Sequence, residues 1–366
     1  MNMKSLFRMT LIALVVFCCF FESAANGSLS LIRPSRDGTH FVRADSNSRF
    51  TIWGFNYEHD NDGLISGSDW KKHWPAVVED FKIMKSLGAN TIRIHLQTFK
   101  YMPTPAEPNQ AALDELTDML KLAEKMGIYL DITGLACYRK DKVARWYKDA
   151  NEPLRWAVQA RFWQAVAQTC KDSPAVIFYD LMNEPVVPSG KPTTDMLAGD
   201  AFGGKFYVQN ITLDPAGRAP PEIAKAWVEK LTAAIKKYDK NRMITIGEIP
   251  WSQTWPGWKP LFHSREIGRY LDFVSVHMYP KTNEIPKALD VLNAYKVGKP
   301  ILVEEMFPLS CTAEEMESYM AQTKNIVAGW ITFFWRDRDA LSNAVVLEWA
   351  KRFQKMQPEM ADPNTL

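Results

Sequence analysis

The sequence predicts an α/β protein, a single (β/α)8 barrel with an N-terminal β-hairpin and extended β-α loops. Three observations predict it. Short β-rich runs alternate with helical-period stretches eight times along the chain. The runs are nearly continuous in apolar residues, as parallel strands covered on both faces require. The first run ends Gly54-Phe55-Asn56-Tyr57, which is no Gly-rich phosphate turn. An open doubly wound sheet, the competing architecture, would normally carry such a turn there.

The elements follow in chain order. Residues 1–25 have the pattern of an export signal. Lys4 and Arg8 precede or open the 13-residue apolar run from Met9 to Phe21, and Ser23-Ala24-Ala25 supplies small residues for cleavage after Ala25. The run is shorter than the ~20 residues a membrane helix needs. An uncleaved anchor helix is the alternative, and the bulky Phe17 before Cys18 argues against a lipoprotein. The mature protein, 26–366, is expected to be one catalytic domain, secreted or periplasmic and monomeric. A hairpin is expected over 29–45, turning at Arg36-Asp37-Gly38. Strands are expected near 50–55, 89–96, 127–133, 175–181, 242–247, 272–278, 300–305 and 328–335. Helices are expected near 74–87, 109–126, 153–171, 220–238, 260–270, 283–296, 313–324 and 345–357. Gly88, Gly127 and Gly298 follow helical stretches, and Pro174 and Pro300 stand just before strands. The long connections 134–152 and 185–219 fall on the C-terminal face of such a barrel, where active sites are built.

Composition narrows the function. Apolar residues make up 46% and charged residues 23%, which excludes disorder for most of the chain. The formal net charge is only +2, so nothing is available to hold a polyanion and no nucleic-acid partner is expected. No later segment is apolar enough for a membrane span. Thirteen Trp direct attention to a cleft with flat apolar walls. Cys137, Cys170 and Cys311 allow at most one disulfide and match no metal-ligand spacing. No metal and no cofactor are expected.

The chemistry sits at the strand ends. Strand four ends Asp180-Leu181-Met182-Asn183-Glu184-Pro185, strand seven ends Val303-Glu304-Glu305-Met306, and strand six ends His277-Met278-Tyr279. Strand two carries Arg93 and His95 on one face, and strand eight ends at Trp335. Carboxylates from strands four and seven would face each other over the barrel mouth. A pair of carboxyl groups flanking a cleft is what glycosidic cleavage requires. A lone strand-end Glu more often pairs with an Arg, but this whole set together makes that reading poor.

These motifs resemble glycoside hydrolase family 5, the retaining β-glycanases that include endoglucanases and β-mannanases. The resemblance runs from Trp53-Gly54-Phe55-Asn56 to Trp335 and is most specific over residues 173–185. It implies that Glu184 is the acid/base, that Asn183 binds a sugar hydroxyl, and that Glu305 is the nucleophile with Glu304 as alternate. Strand alternation would turn Glu304 away from the barrel axis. The resemblance further implies that Arg93 holds the nucleophile ionised, that Tyr279 donates to it, that His277 sits by the acid/base, and that Trp335 floors the sugar site. Thr133 stands where many members have His, and His95 is the candidate to replace it. Trp53, Tyr57, Trp251, Trp255, Trp258 and Trp335 are candidate sugar platforms, Trp255 and its neighbours foremost; Trp74, Trp156, Trp163, Trp227 and Trp349 are expected in the core. The expected substrate is a β-linked oligo- or polysaccharide of mannan or glucan type. A transglycosylase on the same site and an inactive carbohydrate-binding barrel are the alternatives.

Overall fold

The computed structural model describes residues 29–57, 70–188, 190–250, 257–335 and 343–361. The expected signal segment, together with Trp251 and Trp255, lies outside them. The hairpin forms as β1 (Ile32–Pro34) and β2 (Phe41–Arg43), extended by β3 (Arg49–Phe50) into a small antiparallel sheet. The barrel strands are β4 (Ile52–Tyr57), β5 (Thr91–Gln97), β6 (Tyr129–Ala136) and β7 (Val176–Asp180). Between them run α1 (Trp74–Ser86), α2 (Thr98–Tyr101), α3 (Gln110–Met126), α4 (Arg145–Asp149) and α5 (Glu152–Cys170).

The 185–219 insertion has secondary structure of its own among the described residues. It carries β8 (Pro185–Val186), β9 (Leu197–Ala198) and β10 (Val208–Asn210), joined in a three-stranded sheet of its own. Then come α6 (Pro220–Lys236), β11 (Met243–Thr245), β12 (Gly247–Glu248), β13 (Val274–His277), α7 (Ile285–Asn293), β14 (Ile301–Met306), α8 (Ala313–Thr323), β15 (Gly329–Trp335) and α9 (Asn343–Ala361).

The strand expected over 242–247 is split at Ile246, and the split closes the barrel. Its first half, β11, pairs with β7, and its second half, β12, pairs with β13. All barrel pairings are parallel, and β15 returns to β4. Because every strand runs the same way, every strand end faces the same mouth. The opposite end is plugged by the hairpin: Ile32, Phe41 and Phe50 pack with Phe178, Phe273 and Ile331, and Phe41 meets Phe273 edge-on at 5.1 Å.

Local signals act where physical chemistry expects them. Gly127 ends α3 at φ 62°, a conformation glycine adopts without a Cβ clash. Asn109 and Asn151 cap α3 and α5, and Thr312 with Glu315 forms a capping box on α8. The helix expected over 260–270 does not form; a single 3-10 turn at Gly268–Tyr270 remains. Pro260 opens the segment, and the Glu248 carboxyl takes the backbone N–H groups of Leu261 and His263 at 2.6 and 3.3 Å. The chain is thereby pinned to the barrel rim as a loop.

Trp156, Trp163, Trp227 and Trp349 are buried as expected, with Trp74 partly so. Two candidate platforms are core residues instead. Trp53 stacks on Phe353 at 3.9 Å, and Tyr57 is buried and donates to Asp80. Both point out of β4 toward the helices, Trp53 to α9 and Tyr57 to α1, whereas Asn56 between them in the alternation points in to the cluster. The three described cysteines are free thiols, and burial pushes Cys137 up to about 12 and Cys311 up to about 11. No helix among the described residues is long and apolar enough to cross a membrane.

Candidate active site

Six strands deliver side chains to one buried cluster at the mouth. Arg93 on β5 is its hub. Its five N–H donors are all engaged: Nε to Thr133 Oγ1 at 2.7 Å, Nη1 to Asn56 Oδ1 at 2.9 Å and to Glu305 Oε1, Nη2 to Asp180 Oδ2 at 2.8 Å and Asn183 Oδ1 at 2.9 Å. Burial opposes its charge, but Glu304, Glu305, Asp180 and Asp131 around it hold the guanidinium well above its usual range.

Glu184 and Glu305 meet over this hub. The backbone at Glu184 is left-handed, φ 46°, a strained state for a residue with a Cβ. Two backbone bonds hold it there: Glu184 N donates to Gly247 O at 3.1 Å, and Gln209 N donates to Glu184 O at 3.2 Å. The turn lifts the carboxyl over the mouth, where His277 Nδ1 lies 2.9 Å from Oε1. Glu305 is reached by Arg93 on one oxygen and by Tyr279 Oη, at 3.0 Å, on the other. His277 Nδ1 also stands 3.3 Å from Glu305 Oε2. One oxygen of each carboxyl and the His277 nitrogen all lie within 4.8 Å of one another.

The electrostatics follow from burial and these contacts. Burial alone would lower His277, but Glu305, Glu184 and Glu304 raise it to about 10. Such an imidazolium has no lone pair to offer, so it is a poor metal ligand near neutral pH. Burial lifts Glu305 above the usual carboxylate range; His277 and Arg93 oppose the lift and Glu184 adds to it. The Arg93 contact therefore offsets burial rather than lowering the group outright. Burial and Glu304 raise Asp180 to about 7 against the pull of Arg93.

Glu304 faces inward, contrary to simple alternation. It is fully buried, accepts from Ser275 Oγ at 2.5 Å, and stands 3.5 Å from His277 Nε2 and 3.7 Å from Arg93 Nε. The reason is a bulge. Val276 pairs with Val303, but the next residue, His277, pairs with Glu305, so one residue of β14 is skipped. A bulge lets two successive side chains share a face. Against burial, Arg93 and His277 pull Glu304 down to about 2.

His95 is placed inward but is committed to the protein. Its Nδ1 meets Tyr138 Oη at 2.8 Å and its Nε2 meets Asn56 Oδ1 at 3.2 Å. The Asn56 amide donates to Glu304 O and Thr332 O, so its Oδ1 accepts, Nε2 carries the proton, and Tyr138 donates to Nδ1. Burial, Arg93 and His277 push His95 well down, in keeping with a neutral ring. Substitution for the missing histidine is therefore not its geometry; it braces Asn56 and Tyr138. Thr133 accepts from Arg93 and donates to Asp180 at 3.1 Å.

Asn183 accepts from Arg93 and spends one amide N–H on Tyr207 O at 3.0 Å. Trp335 ends β15 at 1% exposure, edge-on to Phe55. Trp258 is 53% exposed and lines a cavity of about 1040 Å³ with Pro185, Glu248, Pro260 and Leu261. The sequence reading missed Asp131, Tyr138 and Ser275. Asp131 carried a signal: it is a lone charge in an apolar run, two residues from Thr133, on the face that Arg93 and His95 occupy on the neighbouring strand.

The cellulase family, glycosyl hydrolase family 5, matches residues 52–338. Mannan endo-1,4-beta-mannosidase 7 of Arabidopsis thaliana is 29% identical over 134 residues, 34% of this chain and only 25% of that protein's length. An exo-beta-1,4-mannosidase from Opitutaceae bacterium strain TAV5 superposes with a TM-score of 0.65 at 16% identity, over 91% of this chain and 63% of its own. A beta-1,4-mannanase from the sea hare Aplysia kurodai superposes with a TM-score of 0.63 at 16% identity, over 89% of this chain and 96% of its own. The chain belongs to the cellulase family, glycosyl hydrolase family 5.

Proposed function

We propose that the protein is an exported, retaining hydrolase of β-linked glycans, with Glu305 as nucleophile, Glu184 as acid/base and β-1,4-mannan as the substrate to test first. The observation that carries this reading is the approach of the two carboxyl groups, with oxygens within 4.8 Å. Retaining enzymes hold the pair about 5–5.5 Å apart, whereas inverting ones leave about 6.5–9.5 Å for a water. Mannan is favoured over glucan because the relatives above are named for mannan or mannoside cleavage. The export pattern of residues 1–25 supports an extracellular substrate.

In the first step a Glu305 oxygen bonds to the anomeric carbon, the bond to the leaving oxygen breaks, and Glu184 gives that oxygen its proton. In the second, water attacks the same carbon, its proton passes to Glu184, and the bond to Glu305 breaks. Arg93 and Tyr279 donate to the two oxygens of Glu305 and stabilise it as it leaves. The second amide N–H of Asn183 remains for a sugar hydroxyl. Trp258 would supply an apolar face for a sugar ring along the cavity.

Time-resolved NMR of mannan, glucan and xylan digests tests the reading. The β anomer is expected first, with mutarotation following. The α anomer as first product would contradict it. Glycosyl transfer to a sugar acceptor without net hydrolysis would make the chain a transglycosylase instead.

A further inference from the structure

Beneath the catalytic carboxylates lies a second acidic pair. Asp131 on β6 and Glu304 on β14 are both fully buried and approach Arg93 Nε to 3.6 and 3.7 Å. Among the described residues, both oxygens of Asp131, Oε1 of Glu304 and Nε2 of His277 are buried without a hydrogen-bond partner. The Asp131 and Glu304 side chains are nonetheless within hydrogen-bonding reach of each other. Two carboxylates carry no donor, so a bond between them requires a proton. A proton on Asp131 that is donated to Glu304 Oε1 satisfies atoms on both residues. It leaves Glu304 Oε2 charged, accepting from Ser275 and facing His277 Nε2 at 3.5 Å. Gly247 makes room for this pairing: a Cβ there would come within 2.4 Å of His277 Nε2 and 2.7 Å of Glu304 Oε2.

We propose that Asp131 and Glu304 share one proton as a buried acid pair, and that Glu304 thereby positions His277 as a doubly protonated ring whose Nδ1–H is directed at Glu184 Oε1. The inference rests on the assignment of Glu184 as acid/base. With Oε1 accepting from His277, the proton that Glu184 delivers is left to Oε2. His277 is faced by Glu184 from the turn after β7, by Glu304 and Glu305 from β14, and by Arg93 and neutral His95 from β5. Glu304 is faced by Arg93, Asp131, Asp180, Ser275, His277 and His263. The titration directions agree: burial and Glu304 hold Asp131 well above its usual range, while Glu304 stands at about 2.

NMR titration of the full chain labelled with ¹⁵N-histidine tests this without substrate, with His277 identified by the signal lost in His277→Gln. The ring is expected to stay doubly protonated to about pH 8 and beyond. In Glu304→Gln its titration should fall by roughly 1–3 units. In Asp131→Asn, whose amide still donates to Oε1, it should stay high. A His277 that titrates near its ordinary 6.5 in the parent, or a Glu304→Gln curve that superimposes on the parent curve, would overturn the proposal. If Glu304→Gln does not fold, the parent titration and Asp131→Asn decide. The alkaline limb of kcat/KM should move toward acid in Glu304→Gln. An error in the catalytic assignment would show in product stereochemistry and leave the His277 titration unaffected.

Discussion

One guanidinium organises the site at the scale of the residue. Arg93 spends five donors on five acceptors in a place with no water access, and Lys has neither the planar fork nor enough donors to replace it. Arg93→Lys should therefore leave buried carboxylates unpaired and destabilise the fold by about 3–5 kcal/mol, measured by denaturant unfolding. An unchanged midpoint would mean that the carboxylates find other partners. Most of this cluster was readable in the chain: Asn183, Glu184, His277, Tyr279 and Glu305 stand at or just past strand ends, which share one mouth in a parallel barrel, and Arg93 stands on the inward face of β5. Glu304 was misread because alternation describes a regular strand, and the bulge in β14 depends on its pairing with β13. His95, Trp53 and Tyr57 were misread for a related cause. Their polar or aromatic character is visible in sequence, whereas the partners that occupy them come from distant segments.

Among the elements, the fifth strand departs most from its expected form. Its break at Ile246 places Gly247 beside His277 and puts Glu248 under the loop that replaces the expected helix over 260–270. The apolar pattern of that loop is real, since Leu261 packs on the core and Phe262 and Ile267 are buried, and the Glu248 carboxyl ties the start of the loop to the barrel through the N–H groups of Leu261 and His263. Burial lifts Glu248 to about 7 despite bonds from Leu261, His263 and Phe262. The folded state thus holds a proton that the unfolded state, titrating near 4.5, gives up earlier. Between these values the native form binds more protons, so stability falls as pH rises from about 4.5 through 7. Glu248→Gln removes that dependence. Relative to the parent, the variant should gain about 3 kcal/mol between pH 4 and pH 8, read from urea midpoints at the two pH values. A pH-independent difference would show that Glu248 ionises normally in the fold.

For the molecule as a whole, closure is the governing fact. A split strand, a returning β15 and the hairpin plug convert a row of βα units into a cylinder with one open mouth. The number and order of units were evident from apolar periodicity; the plug's depth was not, because a hairpin's sequence carries no address for the surface it covers. Phe41 is fully buried between the hairpin and Phe273, and Phe41→Ala should cost about 3–5 kcal/mol with the mouth chemistry retained at low temperature, checked by thermal unfolding and residual activity. The cylinder in turn is what holds oxygens of Glu184 and Glu305 within 4.8 Å of each other at the mouth. The most direct test of that central claim is to trap the covalent intermediate with a 2-deoxy-2-fluoro β-glycoside bearing a good leaving group, then to map the labelled peptide by mass spectrometry. The account predicts a single glycosyl group on Glu305; a label on Glu304, or full turnover with no label on either residue, would contradict it.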